Sequence, residues 1–305
     1  MTRKPQPTPP SPQPESSPSP RRRWIITLMS TLLLAAALTW YLHSAAPPST
    51  ATTPPAPAAQ PTAPLPNQPE RLKVKVLATR HHDPAAFTQG LLLHGGSLFE
   101  STGLYGSSSL REVDPATGAV KRKVDVPAQY FGEGLALVDD RLIQITWQEQ
   151  KALVYQLANF APAGELRYDG EGWGLCWDGT RLVMTDGSDH LTFRDPKTFA
   201  FLSQVTVTRA DRRGEQVAEL NELECVDGQV YANVWHSDEI LRIDPKDGRV
   251  TAVIDAGGLL TPDERQKADV LNGIAWDPQR KDFLITGKLW PKLFEVTFVP
   301  AGPAR

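Results

Sequence analysis

Five times along this chain two apolar runs recur with a Gly or Asp turn between them. A repeat of this length calls for stacked units rather than one undivided core. The first runs open at Gly90-Leu91, Gly134-Leu135, Gly174-Leu175, Glu222-Leu223 and Gly273-Ile274. The second runs cover 98–103, 142–147, 182–187, 230–235 and 283–288. From copy to copy the opening position advances by 44, 40, 48 and 51 residues. Units of this size cannot bury their apolar faces alone, so they stack on their neighbours. A third run follows in each copy: SLREV (109–113), ALVYQL (152–157), HLTFR (190–194), EILRI (239–243) and KLFEV (292–296). Fourth runs follow at 119–124 and 250–254. Four short strands per unit predict an all-β chain folded as a five-bladed β-propeller over residues 71–305.

The last unit runs out of chain after Val299 and lacks its outer strand. The alternating segment RLKVKVLA (71–78) is free at the other end and is predicted to fill that place, which removes an open edge. Segments 209–219 and 260–268 match no strand and read as loop insertions. The second begins Thr261-Pro262-Asp263-Glu264, a helix-start pattern.

The first 70 residues hold 17 of the 28 prolines and cannot bury enough apolar surface to order a domain. Within them Arg21-Arg22-Arg23 precedes WIITLMSTLLLAAALTWYL (24–42), which carries no charge. That run matches the ~20 residues a membrane-spanning helix needs, and the arginines predict an N-in orientation. The expected layout is a basic, Pro-rich cytoplasmic tail (1–23), a transmembrane signal anchor (24–42), a Pro-rich linker (43–70) and the domain (71–305). A cleaved signal peptide, cut near Ala45-Ala46, is the alternative; the run exceeds the ~7–15 residues of a typical h-region and favours the anchor. Either way the domain is expected outside the cytoplasm, in the periplasm for a bacterial cell. The net charge of −3, with no long basic run in the domain, argues against nucleic acid as a partner. A monomer is expected.

Registering the repeats aligns polar and aromatic residues. The residue before each opening position is Gln89, Glu133, Trp173, Asn221 and Asn272. The second runs end at Gly103, Trp147, Gly187, Trp235 and Lys288. Inner strands line a propeller's axis, so both rings are expected to converge on one funnel, an apolar pocket with a few polar groups. Glu133 is the only carboxylate in the first ring. Glu100, Glu171, Glu222 and Glu224 fall out of that register, and Glu222 or Glu224 is expected to be structural. The six histidines show no metal-ligand spacing, and the His81-His82 pair reads as a solvated loop. No Gly-x-Ser-x-Gly elbow or phosphate loop is present. Cys176 and Cys225 hold near-equivalent slots in neighbouring units, compatible with a disulfide or with two buried thiols.

Longer stretches carry a resemblance. FTQGL (87–91), LFESTGLYG (98–106), YFGEGL (130–135), GEGWGL (170–175), LNELE (220–224), YANVW (231–235), LNGIAWD (271–277) and TGKLWPK (286–292) resemble the plant-type glutaminyl-peptide cyclotransferases, which also occur in bacteria. The resemblance spans 72–298. It implies a five-bladed propeller and an acyl transfer that turns the N-terminal glutamine of a peptide or protein into pyroglutamate and releases ammonia. It places the general acid/base on Glu133 and the substrate pocket on Phe87, Gln89, Trp147, Trp173, Asn221, Trp235 and Lys288. It implies no catalytic metal and no cofactor. Some members carry a structural calcium in the channel, and no acidic calcium loop is visible here. Two other readings fit the same rings: a non-catalytic, ligand-binding propeller, and a metal-dependent lactonase-type propeller recruiting Glu133, Asn221, Glu222 and Asn272.

Overall fold

A computed structural model describes residues 68–302; the tail, the predicted anchor and nearly all of the linker lie outside these. Among the described residues no helix is long and apolar enough to cross a membrane. They are almost entirely strand. A long strand, β1 (Glu70–His81), comes first. An antiparallel sheet follows from β2 (Thr88–His94), β3 (Ser97–Thr102), β4 (Ser109–Val113) and β5 (Val120–Asp125). The next holds β6 (Gly132–Val138), β7 (Arg141–Thr146), β8 (Lys151–Gln156) and β9 (Pro162–Arg167). A third is built from β10 (Leu175–Trp177), β11 (Leu182–Met184), β12 (His190–Arg194) and β13 (Phe201–Thr206). A two-stranded insertion, β14 (Thr208–Arg209) and β15 (Glu215–Gln216), precedes β16 (Leu220–Val226), β17 (Gln229–Val234), β18 (Glu239–Ile243) and β19 (Val250–Asp255). The short helix α1 (Pro262–Arg265) and then β20 (Leu271–Asp277), β21 (Asp282–Gly287) and β22 (Lys292–Pro300) complete the chain.

β1 supplies the strand that the last group lacks. It runs antiparallel to β22, from Leu72 opposite Pro300 to His81 opposite Lys292. Its first residues also pair in parallel with β19, Glu70 opposite Ala252 through Lys73 opposite Asp255, so the last two groups form one eight-stranded sheet. Glu70 bonds Arg242 at 3.2 Å, and Arg71 pairs with Asp211. The insertion 209–219 is thereby anchored: Arg209 is buried and bridges Asp211 and Glu239. In α1, Thr261 and Glu264 form a reciprocal capping box behind Pro262, the local reason for this single helical turn.

The first strands neighbour one another in turn: β2 with β6, β6 with β10, β10 with β16, β16 with β20, and β20 with β2. The repeated glycines are explained by this closeness. A Cβ on Gly90 would lie 2.6 Å from the Leu135 nitrogen, and one on Gly134 2.5 Å from the Leu175 nitrogen. Any side chain there would push these neighbouring first strands apart. The fourth copy has Glu222 instead, and its carboxylate accepts from the Leu91 and Ile274 amides at 3.1 and 2.8 Å. Between groups the apolar runs interlock. Leu135, Leu142 and Leu153 pack with Leu92, Phe99 and Leu110; Leu91 and Leu98 pack with Ala275, Leu284 and Leu293. Burying one such leucine contributes about 1.5–3 kcal/mol. Cys176 of β10 and Cys225 of β16 form a disulfide, with Cα atoms 5.6 Å apart.

Candidate active site

The residues before the first-strand openings meet. Glu133, buried at the start of β6, accepts the Gln89 side-chain N–H at 2.9 Å. Gln89 in turn accepts from Asn272 Nδ2 at 3.2 Å, and that same nitrogen donates to the Thr88 carbonyl at 3.0 Å. Asn221 lies beside Gly174: a Cβ there would reach the Asn221 carbonyl oxygen at 2.0 Å. The Oδ1 atoms of Asn221 and Asn272 are buried without a hydrogen-bond partner. A buried acceptor left unpaired costs about 1–3 kcal/mol.

The aromatic residues form two linked walls. Phe87 packs edge-on against Phe131 at 6.1 Å, and Phe131 against Trp147 at 5.7 Å. Trp173 meets Trp235 edge-on at 5.5 Å. Glu171 joins the walls: its Oε2 accepts the indole N–H of Trp147 at 2.8 Å and of Trp173 at 3.0 Å. The two glycines at the ends of second runs make room for these rings. A Cβ on Gly103 would strike Phe131 at 2.3 Å, and one on Gly187 would strike Trp173 at 2.6 Å. Tyr105 closes the rim, packing on Phe131 and donating to Glu149 at 2.8 Å. The Lys288 ammonium, buried, stands 5.0 Å from the Phe87 ring centroid.

Electrostatics separate the carboxylates. Burial pushes Glu133 well above the usual carboxylate range; Lys288 pulls it down, and the charges of Glu171 and Glu149 add to the rise. Burial lowers Lys288 from the usual lysine value, against the charges of Glu133 and Asp269. Burial also works to raise Glu171, but the donors Trp173, Gln148 and Trp147 outweigh it and hold that carboxylate low. The site therefore contains one carboxyl whose hold on a proton is strengthened and another whose hold is weakened. Among the described residues no cluster of three or more His, Cys, Asp or Glu side chains is arranged to hold a metal ion.

The structure joins Gln89, Glu133 and Asn272 by hydrogen bonds and gathers Phe87, Trp147, Trp173, Trp235 and Lys288 about the aromatic walls, while Asn221 lies beside Gly174, the residue after Trp173. Phe131, Glu171, Tyr105 and Glu149 were not among the residues that the register and the resemblance assign to the pocket. Phe131 and Glu171 stand two residues before Glu133 and Trp173, inside YFGEGL and GEGWGL. Period-two spacing from a site residue was the available signal. His82 departs from expectation: it is buried against the back of the site, because Trp290 and Glu100 cover it. Of the pair, His81 alone is exposed.

An all-β chain with a carboxyl of raised pKa under an aromatic rim has the make-up of an acid/base pocket for a small group or a chain end. Residues 45–298 match the model of the glutamine cyclotransferase family. A glutaminyl-peptide cyclotransferase of Arabidopsis thaliana is 44% identical over 230 residues, which cover 73% of this chain and 71% of that one. The crystal structure of Myxococcus xanthus glutaminyl cyclase superposes with a TM-score of 0.68 at 40% identity, over 76% of this chain and 98% of that one. The chain belongs to the glutamine cyclotransferase family.

Proposed function

We propose that this protein is a glutaminyl-peptide cyclotransferase: it closes the N-terminal glutamine of a peptide or protein into pyroglutamate and releases ammonia. The observation that carries the reading is Glu133, a buried carboxyl of raised pKa, bonded by Gln89 beneath two aromatic walls. The α-amine nitrogen forms a bond to the side-chain amide carbon, and the bond from that carbon to the amide nitrogen breaks. The amine must lose a proton and the leaving nitrogen must gain one. One carboxyl poised between them takes the first proton and delivers it to the amide nitrogen, which leaves as NH3. Because both reacting groups belong to one residue, holding the compact conformer supplies much of the acceleration. Trp147, Trp173 and Trp235 clamp that conformer and exclude water; Phe87 flanks it. Asn221 and Gln89 bond the amide and the α-carbonyl. Lys288 stabilises charge developing on the amide oxygen.

The finer architecture is a five-bladed propeller with the site at one mouth of its axis. Three four-stranded sheets, an eight-stranded sheet of two groups, and the closed order of the five first strands support it. The chain's layout is a cytoplasmic tail (1–23), a single anchor (24–42), a linker (43–70) and an extracytoplasmic catalytic domain (71–305), which acts as a monomer without a cofactor. The uncharged run behind three arginines supports the anchor. Cell fractionation with N-terminal sequencing tests it; a soluble form starting near Ala45 would remove it.

The activity is tested by ammonia release from a Gln-initiated peptide, followed by mass loss of one NH3 on that peptide. Peptide binding without turnover would reject the enzyme.

A further inference from the structure

His82 lies behind the pocket, and both its ring nitrogens face acceptors. Nδ1 is 2.7 Å from the Trp290 carbonyl oxygen, and Nε2 is 3.0 Å from Glu100 Oε1. A neutral imidazole carries one N–H and can serve only one of these. The geometry is that of an imidazolium donating at both ends. The charged groups around it are Glu100 on β3, Arg111 on β4 and Asp83 in its own segment. Arg111 bonds Asp83 at 2.8 Å and stands 3.9 Å from the second Glu100 oxygen. Thr88 also donates to Glu100 Oε1, at 2.8 Å.

One end of this bridge is the segment that carries Lys288; the other is Glu100 on β3, which reaches the segment carrying Phe87 and Gln89 through Thr88. On one side, Trp290 closes the turn that begins at Lys288. That turn is fixed by Lys288 N–H to the Val270 carbonyl, Leu289 N–H to Ala86, and the Trp290 indole to Asp269, all at 2.8–2.9 Å. The backbone N–H of His82 itself donates to Pro291 at 3.0 Å. On the other side, Thr88 sits between Phe87 and Gln89, the residues that face Lys288 and Glu133.

We propose that His82 is a positioning residue: its imidazolium clamps the Lys288 turn to the strand bearing Phe87 and Gln89, and so sets the lysine over the reacting amide. Burial works against the charged ring, and Glu100, the Trp290 carbonyl and Asp83 outweigh it, so the net shift is upward. The sign follows: the clamp is complete below the usual imidazole value and is lost as pH rises through the elevated one.

The kinetic part of the test rests on the cyclase reading; the spectroscopic part does not. In the full-length chain labelled with 15N-histidine, both ring nitrogens of His82 are expected to stay protonated to a higher pH than those of a free imidazole. His82→Gln, assayed well below its melting temperature, should lower kcat roughly ten- to a hundredfold with little change in KM. In a Lys288→Met background the same change should cost less than about threefold, because the clamp acts through the lysine. A His82 ring that loses its proton at or below the pH at which a free imidazole does would overturn the clamp. Equal losses in both backgrounds would reduce His82 to a structural role. Should His82→Gln fail to fold, the nitrogen signals of the unaltered protein still decide. A wild-type chain that releases no ammonia would sink the cyclase reading and leave the nitrogen result standing.

Discussion

Glu133 on β6 and Glu100 on β3 are both buried glutamates, and their acidities move in opposite directions. Glu133 has one neutral amide donor and a lysine acting from a distance, so burial dominates and its carboxyl rises. Glu100 feels the same burial, but His82, Arg111 and Thr88 surround it and hold it low. Depth alone therefore assigns no role to a buried carboxylate; the number of donors and cations in contact does. The under-supplied one is fit to move a proton, and the fully supplied one is fit to hold a wall.

The hardest blow to this contrast would come from Glu133→Gln. It keeps the side chain's shape and removes the shuttle, so kcat should fall about 10²–10⁴-fold while KM changes little. A variant retaining near-full kcat would show the two carboxylates to be equivalent. Folding should respond in the opposite sense. A raised carboxyl costs the native state stability as pH climbs from the ordinary carboxylate range to the raised value, so Glu133→Gln should gain in urea midpoint as pH rises. Glu100→Gln should instead destabilise by about 3–5 kcal/mol in urea unfolding, because it leaves a buried imidazolium unpaired. Its stabilising contribution in the wild type is present above the ordinary carboxylate value and disappears as pH falls through the depressed one.

A smaller effect sharpens the comparison. Glu171→Gln can still accept from the indoles but no longer repels a second negative charge. Glu133 should then ionise at lower pH, moving the acid limb of the kcat profile downward with kcat at its plateau within about threefold. An acid limb that stays in place would mean that the Glu171 charge does not act on Glu133. The smallest effect is expected from EDTA: initial rates should not change. Complete loss, restored by zinc, would make Glu133 a metal ligand rather than a proton carrier. Slow loss accompanied by unfolding would point to a structural calcium.

How much of this could be read beforehand depended on whether neighbours in space were in register in sequence. The glycines of the first runs were legible because each inner strand meets the same obstacle, the backbone of the next. Glu133, Gln89 and Asn272 were legible for the same reason and do bond one another. β1 was placed by the argument that an open edge must be filled. Glu171 escaped because its partners are two indole N–H groups, and a side chain's donor is not visible in an apolar pattern. His82 escaped because its environment comes from Trp290, 208 residues away, while its sequence neighbours resemble a turn. β10 and β11, three residues each, were overextended by the repeat, which continues past the pairing that the backbone keeps.

The double pairing of β1 has a mechanical consequence. Leu72 and Lys73 are held on one side by β19 and on the other by β22, and the Ala301 amide also bonds the Arg71 carbonyl at 2.9 Å. A pull arriving from the N-terminal side meets this doubly bonded stretch first. Directed along the strand, it loads those hydrogen bonds together, in shear, instead of peeling them off one by one. The N-terminal edge of the domain is thus a strong grip, because these bonds must break together before the first strand can leave its sheet.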